Sequence, residues 1–216
     1  MHCVVTAGPT YESLDNVRRL TNSSTGRLGT ELANFLAARA HQVTLLIGEQ
    51  ATHPGPRQAQ RVETFSTTKD LQNRLRALSS KPMDALFHAA AVSDFTFGKI
   101  WSRSPGGELT EIKAGKISTR QGTLLAEMVP TPKIILGLRD CFPKARLVGW
   151  KYEVDGDRAT VIRLAEKQIA ESRTDACVAN GPAYGEGFAL VRKNSLTLHL
   201  PDSPSLFDAL EKFVRE

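Results

Sequence analysis

The chain has 216 residues, 41% of them hydrophobic and 24% charged, with a formal net charge of +5. That length buries a real core and suits one large α/β domain or two small ones, and the composition is that of a globular cytosolic protein, which excludes fibrous and disordered classes. The mild charge, without a basic stripe, excludes a nucleic-acid binder and fits a protein that handles anionic small molecules.

Cys3, Cys141 and Cys177 stand far apart and form no CxxC pair. Cys3 and Cys177 lie in apolar, strand-like runs, where a free thiol acts as a small hydrophobe. This argues for a reducing, cytoplasmic compartment and against a zinc site. The chain opens directly on a strand, so no signal peptide is expected, and it carries no apolar run of about 18 residues to span a membrane.

In chain order, His2–Ala7 reads as a buried strand ending at Gly8. From Gly26 to Ala40, the residues Leu28, Leu32, Phe35 and Leu36 share one helical face, and Val43–Ile47 is a second strand closed by Gly48. A loop rich in Pro, Gly and Gln leads to a short strand at Val62–Phe65. Ser66 or Thr67 then caps a helix carrying Leu71, Leu75 and Leu78. Asp84–Ala91 is the next buried strand. Strands separated by such helices imply parallel βαβ units, with ligands bound beyond the carboxyl ends of the strands.

Between Phe95 and Val129 the rhythm breaks. Trp101–Gly107 is polar and turn-rich, Leu109–Lys113 alternates like a strand, and Lys116–Thr119 precedes a short strand near Leu124. We read residues 95–129 as an inserted β flap with little apolar side chain to hold it still. The rhythm resumes with a helix after Pro132, a strand at Arg146–Lys151, a helix at Arg158–Glu171 and a strand at Asp175–Ala179. Phe188–Arg192 and Ser195–Leu200 form a hairpin around Lys193 and Asn194, and Ser203 or Ser205 begins a last amphipathic helix. The expectation is one domain over residues 1–216. It has a Rossmann-like, mostly parallel sheet flanked by helices, the flap, and a C-terminal β-hairpin.

Four segments carry candidate chemistry. In Thr6-Ala7-Gly8-Pro9-Thr10, glycine after the first strand lets backbone approach a ligand, although such turns are also common for steric reasons alone. There is no GxGxxG, which disfavours a nicotinamide cofactor. In Thr21–Gly29, the hydroxyls and glycines at a helix start (Ser24, Thr25, Gly26, Arg27) suit a phosphate or carboxylate. Ordinary capping would need only one of them. Asn22 offers an amide donor and acceptor to an acyl group. Ala89–Phe95 ends a buried strand in small residues that admit a flat ligand, and Asp94 there can bind a hydroxyl or, through water, Mg²⁺. His88 reads as a core histidine with no catalytic role. In Gly115-Lys116-Ile117-Ser118, a flap lysine can close over phosphates.

Taken together, TAGPT, Leu14-Asp15-Asn16-Val17-Arg18 and TNSSTGRLG resemble the TxGGT…DxVR…xNxSSG+xG signature of phosphopantothenate–cysteine ligases. AAAVSDF, GKIS, Met128-Val129-Pro130 with Pro132-Lys133, Val148-Gly149-Trp150-Lys151-Tyr152-Glu153 and Val178-Ala179-Asn180 continue it, in a form that looks closer to the eukaryotic-type branch. The resemblance implies a ligase that uses ATP or CTP to activate 4′-phosphopantothenate as an acyl-nucleotide and then forms the amide with cysteine. It implies Asn22 and Lys116 as catalytic, and Gly8, Ala91, Asp94, Trp150 and Lys167 around the nucleotide. Ser24, Thr25, Gly26 and Arg27 fall in the matching anion-binding turn. It further implies Mg²⁺, no flavin, and a homodimer. Pro9 departs from the family turn by removing an N–H donor, and Gly181 stands where bacterial members carry an acid. The alternatives are a divergent, non-catalytic nucleotide-binding member and a short-chain oxidoreductase. The second wants a Tyr-xxx-Lys pair, which Tyr11, Tyr152 and Tyr184 do not make.

Overall fold

The N-terminal apolar run forms β1 (His2–Ala7), in which Cys3 to Ala7 are all buried because helices cover both faces of its sheet. The computed structural model describes residues 1–216, apart from the side chain of Gln121. After β1 come a small antiparallel hairpin of β2 (Tyr11–Ser13) and β3 (Arg19–Thr21), then α1 (Arg27–Ala38) and β4 (Gln42–Gly48). β5 (Arg61–Phe65), α2 (Thr68–Leu78) and β6 (Ala85–His88) follow. The flap is a three-stranded antiparallel sheet of β7 (Phe95–Arg103), β8 (Leu109–Glu111) and β9 (Thr123–Pro130), ordered β8-β7-β9. The main domain resumes with α3 (Leu138–Cys141), β10 (Arg146–Tyr152), α4 (Arg158–Ser172) and β11 (Ala176–Asn180). It closes with β12 (Phe188–Arg192), β13 (Leu198–Leu200) and α5 (Ser203–Arg215).

The main sheet runs β13-β12-β11-β10-β6-β1-β4-β5, parallel from β11 to β5 and antiparallel at β12 and β13. Numbered among themselves, its parallel strands stand in the order 3-2-1-4-5-6, as in dinucleotide-binding sheets, and the order reverses between β1 and β6. Alternate residues serve opposite faces. Cys3, Val5 and Ala7 pack with Leu32 and Leu36 of α1 and Leu210 of α5. Val4, Leu86 and Leu147 pack with Leu71 and Leu75 of α2 and Leu138 of α3. α4 covers Cys177 and Ala179 with Val161, Ala165 and Ile169.

Several expectations are corrected. The strand expected over Asp84–Ala91 ends at His88, and only a bridge from Pro9 to Ala91 continues it. Trp101–Arg103 complete the long β7, because they pair with Thr123–Leu125 of β9, so the turn is confined to residues beyond them. The helix after Pro132 is a 3₁₀ turn (Ile134–Gly137) plus one α turn. Of the two residues expected to cap α2, Thr67 does so, accepting the Asp70 N–H at 3.2 Å, while the N–H of Ser66 before it donates to Asp70 Oδ2 at 2.9 Å. α5 does begin at Ser203, as expected. Asp202 before it supplies the cap, accepting the Ser205 N–H at 2.9 Å.

Candidate active site

A crevice of about 780 Å³ opens beyond the carboxyl ends of β1, β6, β10 and β11, where the strand order reverses. A larger hollow of about 1030 Å³ lies at the other end of the sheet, between α4 and the β12–β13 turn. It holds none of the candidate residues, and its Arg139 and Arg173 are already paired with Asp175 and Asp140.

Three glycines bring backbone to the crevice. Gly8 and Gly26 both have left-handed φ, +75° and +77°, and a Cβ on Gly26 would stand 3.3 Å from Gly8 Cα. A Cβ on Gly29 would meet Ala7 Cβ at 2.6 Å, so glycine here is what lets α1 lie against β1. These are the three tasks of a dinucleotide fingerprint: the tight turn, the close approach and the helix packing. Here the β2–β3 hairpin separates the first glycine from the other two.

Gly26 is the N-cap of α1 and supplies no side-chain cap; Thr25 Oγ1 accepts the Arg27 N–H at 3.3 Å. The N–H groups of Leu28 and Gly29 therefore remain for a ligand, at the positive end of the helix dipole. Ser24, Thr25, Gly26, Arg27, Leu28 and Gly29 all line the crevice. Asn22 stands opposite, its Nδ2 donating to Ala91 O at 3.1 Å, and Thr10 N–H donates to the same oxygen at 3.1 Å. Below them Thr10 Oγ1 donates to Ser93 Oγ at 3.0 Å and accepts the Ser93 N–H at 2.8 Å, which fixes the Ala91–Asp94 turn. Asp94 pairs with Lys133.

On the far side, Trp150 Nε1 and Asn180 Oδ1 are buried without a partner, a donor and an acceptor in the crevice wall. Such orphans are expensive unless a ligand or water meets them. His88 also lines this wall. Thr6 Oγ1 accepts the Ala90 N–H at 3.1 Å and lies 3.0 Å from His88 Nδ1; with no other acceptor for the buried hydroxyl among the described residues, its proton is assigned to His88 Nδ1. Burial pulls the imidazole down to about 4, so the ring is neutral.

The structure therefore brings together Gly8, Asn22, Ser24, Thr25, Gly26, Arg27, Ala91, Asp94 and Trp150. It does not bring in Lys167, which lies on the outer face of α4 and pairs with Glu171 at 3.7 Å. The inward stripe of α4 is Val161, Ala165, Ile169 and Ser172, and the residue at helical spacing from it that reaches the crevice is Gln168. Lys116 is exposed and stands outside the crevice lining. The segment beside it is anchored, against expectation. Ile117 is buried; its N–H donates to Asp15 Oδ2 at 3.1 Å and its carbonyl accepts from Arg18 Nη2 at 2.7 Å. Sequence reasoning missed His88 and Gln168 as crevice residues. The period of α4 was the signal that could have found the second.

A family model described as the C-terminal domain of DNA/pantothenate metabolism flavoproteins matches residues 1–212. Over 177 residues the chain is 34% identical to the coenzyme A biosynthesis bifunctional protein CoaBC of Thermococcus kodakarensis, covering 82% of this chain and 40% of that protein. The chain spans less than half the length of the curated relatives it matches. The crystal structure of the DNA/pantothenate metabolism flavoprotein from Streptococcus pneumoniae aligns with a TM-score of 0.84 at 25% identity, over 100% of this chain and 98% of that one. A complex of Cab2 with phosphopantothenate-cysteine has the same fold, with a TM-score of 0.75 at 16% identity over 99% of this chain and 85% of that one. With a family match running nearly end to end, the chain belongs to the DNA/pantothenate metabolism flavoprotein C-terminal domain family.

Proposed function

We propose that the chain is a phosphopantothenate–cysteine ligase of coenzyme A biosynthesis, which activates 4′-phosphopantothenate with ATP or CTP and then joins it to cysteine. The observation that carries this reading is the crevice at the strand-order reversal, where an uncapped helix start faces the Asn22 amide. An acyl phosphate chemistry needs both: N–H groups for phosphate oxygens and a fixed donor for the acyl oxygen.

The substrate carboxylate attacks the α-phosphorus, forming the acyl-nucleotide and expelling pyrophosphate. The cysteine amine then attacks the acyl carbon, expels the nucleoside monophosphate and loses a proton. Gly8, Ala91, Trp150 and the helix start hold the nucleotide. The second amide proton of Asn22 meets the acyl oxygen as charge builds on it. Lys116 extends to the α-phosphate from a backbone that Asp15, Asn16 and Arg18 hold in place. Neither step moves electrons, so the ligation itself calls for no flavin. Mg²⁺ fits as a companion of the triphosphate. Among the described residues no cluster of metal ligands exists, and Asp94 offers the single carboxylate that a phosphate-bound Mg²⁺ uses.

Two chains associate through the flap, whose outer strand β9 is an open edge. The reading places the protein in the cytoplasm, in keeping with three free thiols. No helix among the described residues is long and apolar enough to cross a membrane. The test is pyrophosphate release with phosphopantothenate, cysteine and each nucleoside triphosphate in turn. Release that requires both the acid and a triphosphate is expected. A chain that releases none, yet is thermally stabilised by FMN or NADH and by no triphosphate, would overturn the reading.

A further inference from the structure

Two adjacent side chains in the crevice wall carry hydrogen-bonding capacity that the protein leaves unused. His88 ends β6 and stands in register with Gly149 of β10, on strands about 4.8 Å apart. With Nδ1 assigned as the acceptor for the Thr6 hydroxyl, which meets no other acceptor among the described residues, the proton of the neutral ring is placed on Nε2. Nε2 has no protein partner among the described residues, although His88 is only 6% exposed and lines the crevice. Gln168 reaches over the same glycine, and a Cβ on Gly149 would lie 2.5 Å from Gln168 Nε2.

The orientation of that amide is fixed from behind. Burial pushes the Cys177 thiol up to about 12, so it keeps its proton. That proton is directed to Val178 O at 3.7 Å, and the sulfur accepts from Gln168 Nε2 at 3.2 Å. Gln168 Oε1 is thereby left as an acceptor with no protein partner among the described residues. The surrounding wall is apolar: Ala90, Val92, Ile134 and Ile135. His88 and Gly149 share the sheet face of Leu86 and Leu147, opposite the face that packs α1. The helix start can thus hold phosphates while an apolar slot on the other side receives a flat ring.

We propose that His88 and Gln168 form a neutral donor–acceptor pair that reads the base of the nucleotide held in this crevice. The pair selects a base with a ring-nitrogen acceptor beside an exocyclic amino group. The proposal rests on the ligase reading. Adenine (N1 and the 6-amino group) and cytosine (N3 and the 4-amino group) both present that edge. Hypoxanthine and uracil reverse it, setting N–H against the His88 N–H and oxygen against Gln168 Oε1. The discrimination is between amino and oxo bases, so the pair would admit adenine and cytosine alike.

Titration calorimetry with the magnesium complexes of ATP, CTP, ITP and UTP tests it. In the unaltered protein the amino member of each pair should bind roughly tenfold tighter, the worth of one good hydrogen bond replaced by a clash of like groups. This comparison changes only the ligand, so it is unaffected by any folding defect. Gln168→Met keeps length and packing and should reduce the ratio to about twofold, as should His88→Leu if that variant folds. Equal binding of amino and oxo nucleotides by the unaltered protein, or a full ratio surviving in Gln168→Met, would overturn base reading and leave the ligase reading standing. Failure of all four triphosphates to bind would sink both.

Discussion

At Asn22 one amide proton is already committed to Ala91 O at 3.1 Å, which holds the side chain at the crevice mouth and leaves the other proton and Oδ1 for a ligand. Asn22→Asp is nearly isosteric but sets an acceptor against that carbonyl and removes the donor to the acyl oxygen. Amide formation should fall by about 10²–10³ while the circular dichroism spectrum stays the same. Unchanged turnover would take Asn22 out of the mechanism. His88 makes a different kind of statement, about stability. Its folded-state value of about 4 lies below its ordinary 6.5 because burial penalises the cation. The stabilisation is complete above 6.5 and is lost as pH falls toward 4, since the unfolded chain takes up the proton first; the full span is worth roughly 3 kcal/mol. Asp157, Asp202 and Glu211 are also held below their ordinary values, by hydrogen bonds from Thr160, Ser205 and His41 first. Their contributions are lost only below about pH 4.5, the upper end of the ordinary carboxylate range. Melting temperature should therefore already decline between pH 6.5 and 5 in the unaltered protein, and His88→Leu should flatten that part of the curve. Parallel curves would contradict the assignment. At this scale the sequence was legible where a motif placed a residue at a strand end, as for Asn22, Ala91 and Asp94. It was not legible for His88, whose apolar neighbours are the same whether its ring faces the core or the crevice.

The flap shows what a short element contributes when long-range hydrogen bonds hold it. Asp15 lies before β3, its side chain 1% exposed and its carboxyl held below the usual range by the N–H of Val17 first, and also by those of Ile117 and Arg18. Arg18 Nη2 closes the other side on Ile117 O, and Asn16 N–H donates to Gly115 O at 2.9 Å. The Asp15–Arg18 turn thus sets where the backbone on both sides of Lys116 stands. Lys116→Gln should slow pyrophosphate exchange more than it weakens nucleotide affinity, because the lysine meets its strongest charge in the transition state. Asp15→Asn should act in the same direction through position alone, slowing exchange by roughly tenfold with affinity little changed. In the double variant the two losses should not add, as for residues that serve one contact. Equal losses of rate and affinity in Lys116→Gln would make it a ground-state clamp. Additive losses would separate Asp15 from the lysine. β8 was legible because Leu109 to Lys113 alternate, and β9 only as a short strand near Leu124, where eight residues pair. The β2–β3 hairpin was not, because its two three-residue strands, Tyr11–Ser13 and Arg19–Thr21, are not extended by flanking residues that alternate apolar and polar. That hairpin also hid the glycine fingerprint, by placing seventeen residues between Gly8 and Gly26.

For the whole molecule, the buried parallel strands were legible because burial on both faces makes them continuous apolar runs. Their spatial order was not, since periodicity says nothing about which way a crossover turns back. The same burial logic points to what the single chain leaves unfinished. The main sheet ends at β5 and β13, while the flap ends in β9, a strand of eight residues with one backbone edge unpaired. Leu125, Met128 and Val129 of β9 and Phe95 of β7 are all at least one-third exposed, and Phe95 and Val129 adjoin Asp94 and Thr131 of the crevice. An open apolar edge of this length is a template for another strand. A two-fold pairing would use the same patch on both chains and close the assembly. Light scattering should therefore give twice the 23.6 kDa chain mass. Leu125→Lys with Met128→Lys should shift the population to monomer, because two like charges would face their own copies across the axis. If the partner helps to complete the crevice, ligase activity should become steeply concentration-dependent in that variant while triphosphate binding to the isolated chain persists. A monomer with full activity in the unaltered protein would remove the dimer, and β9 would then be an edge protected by some other means.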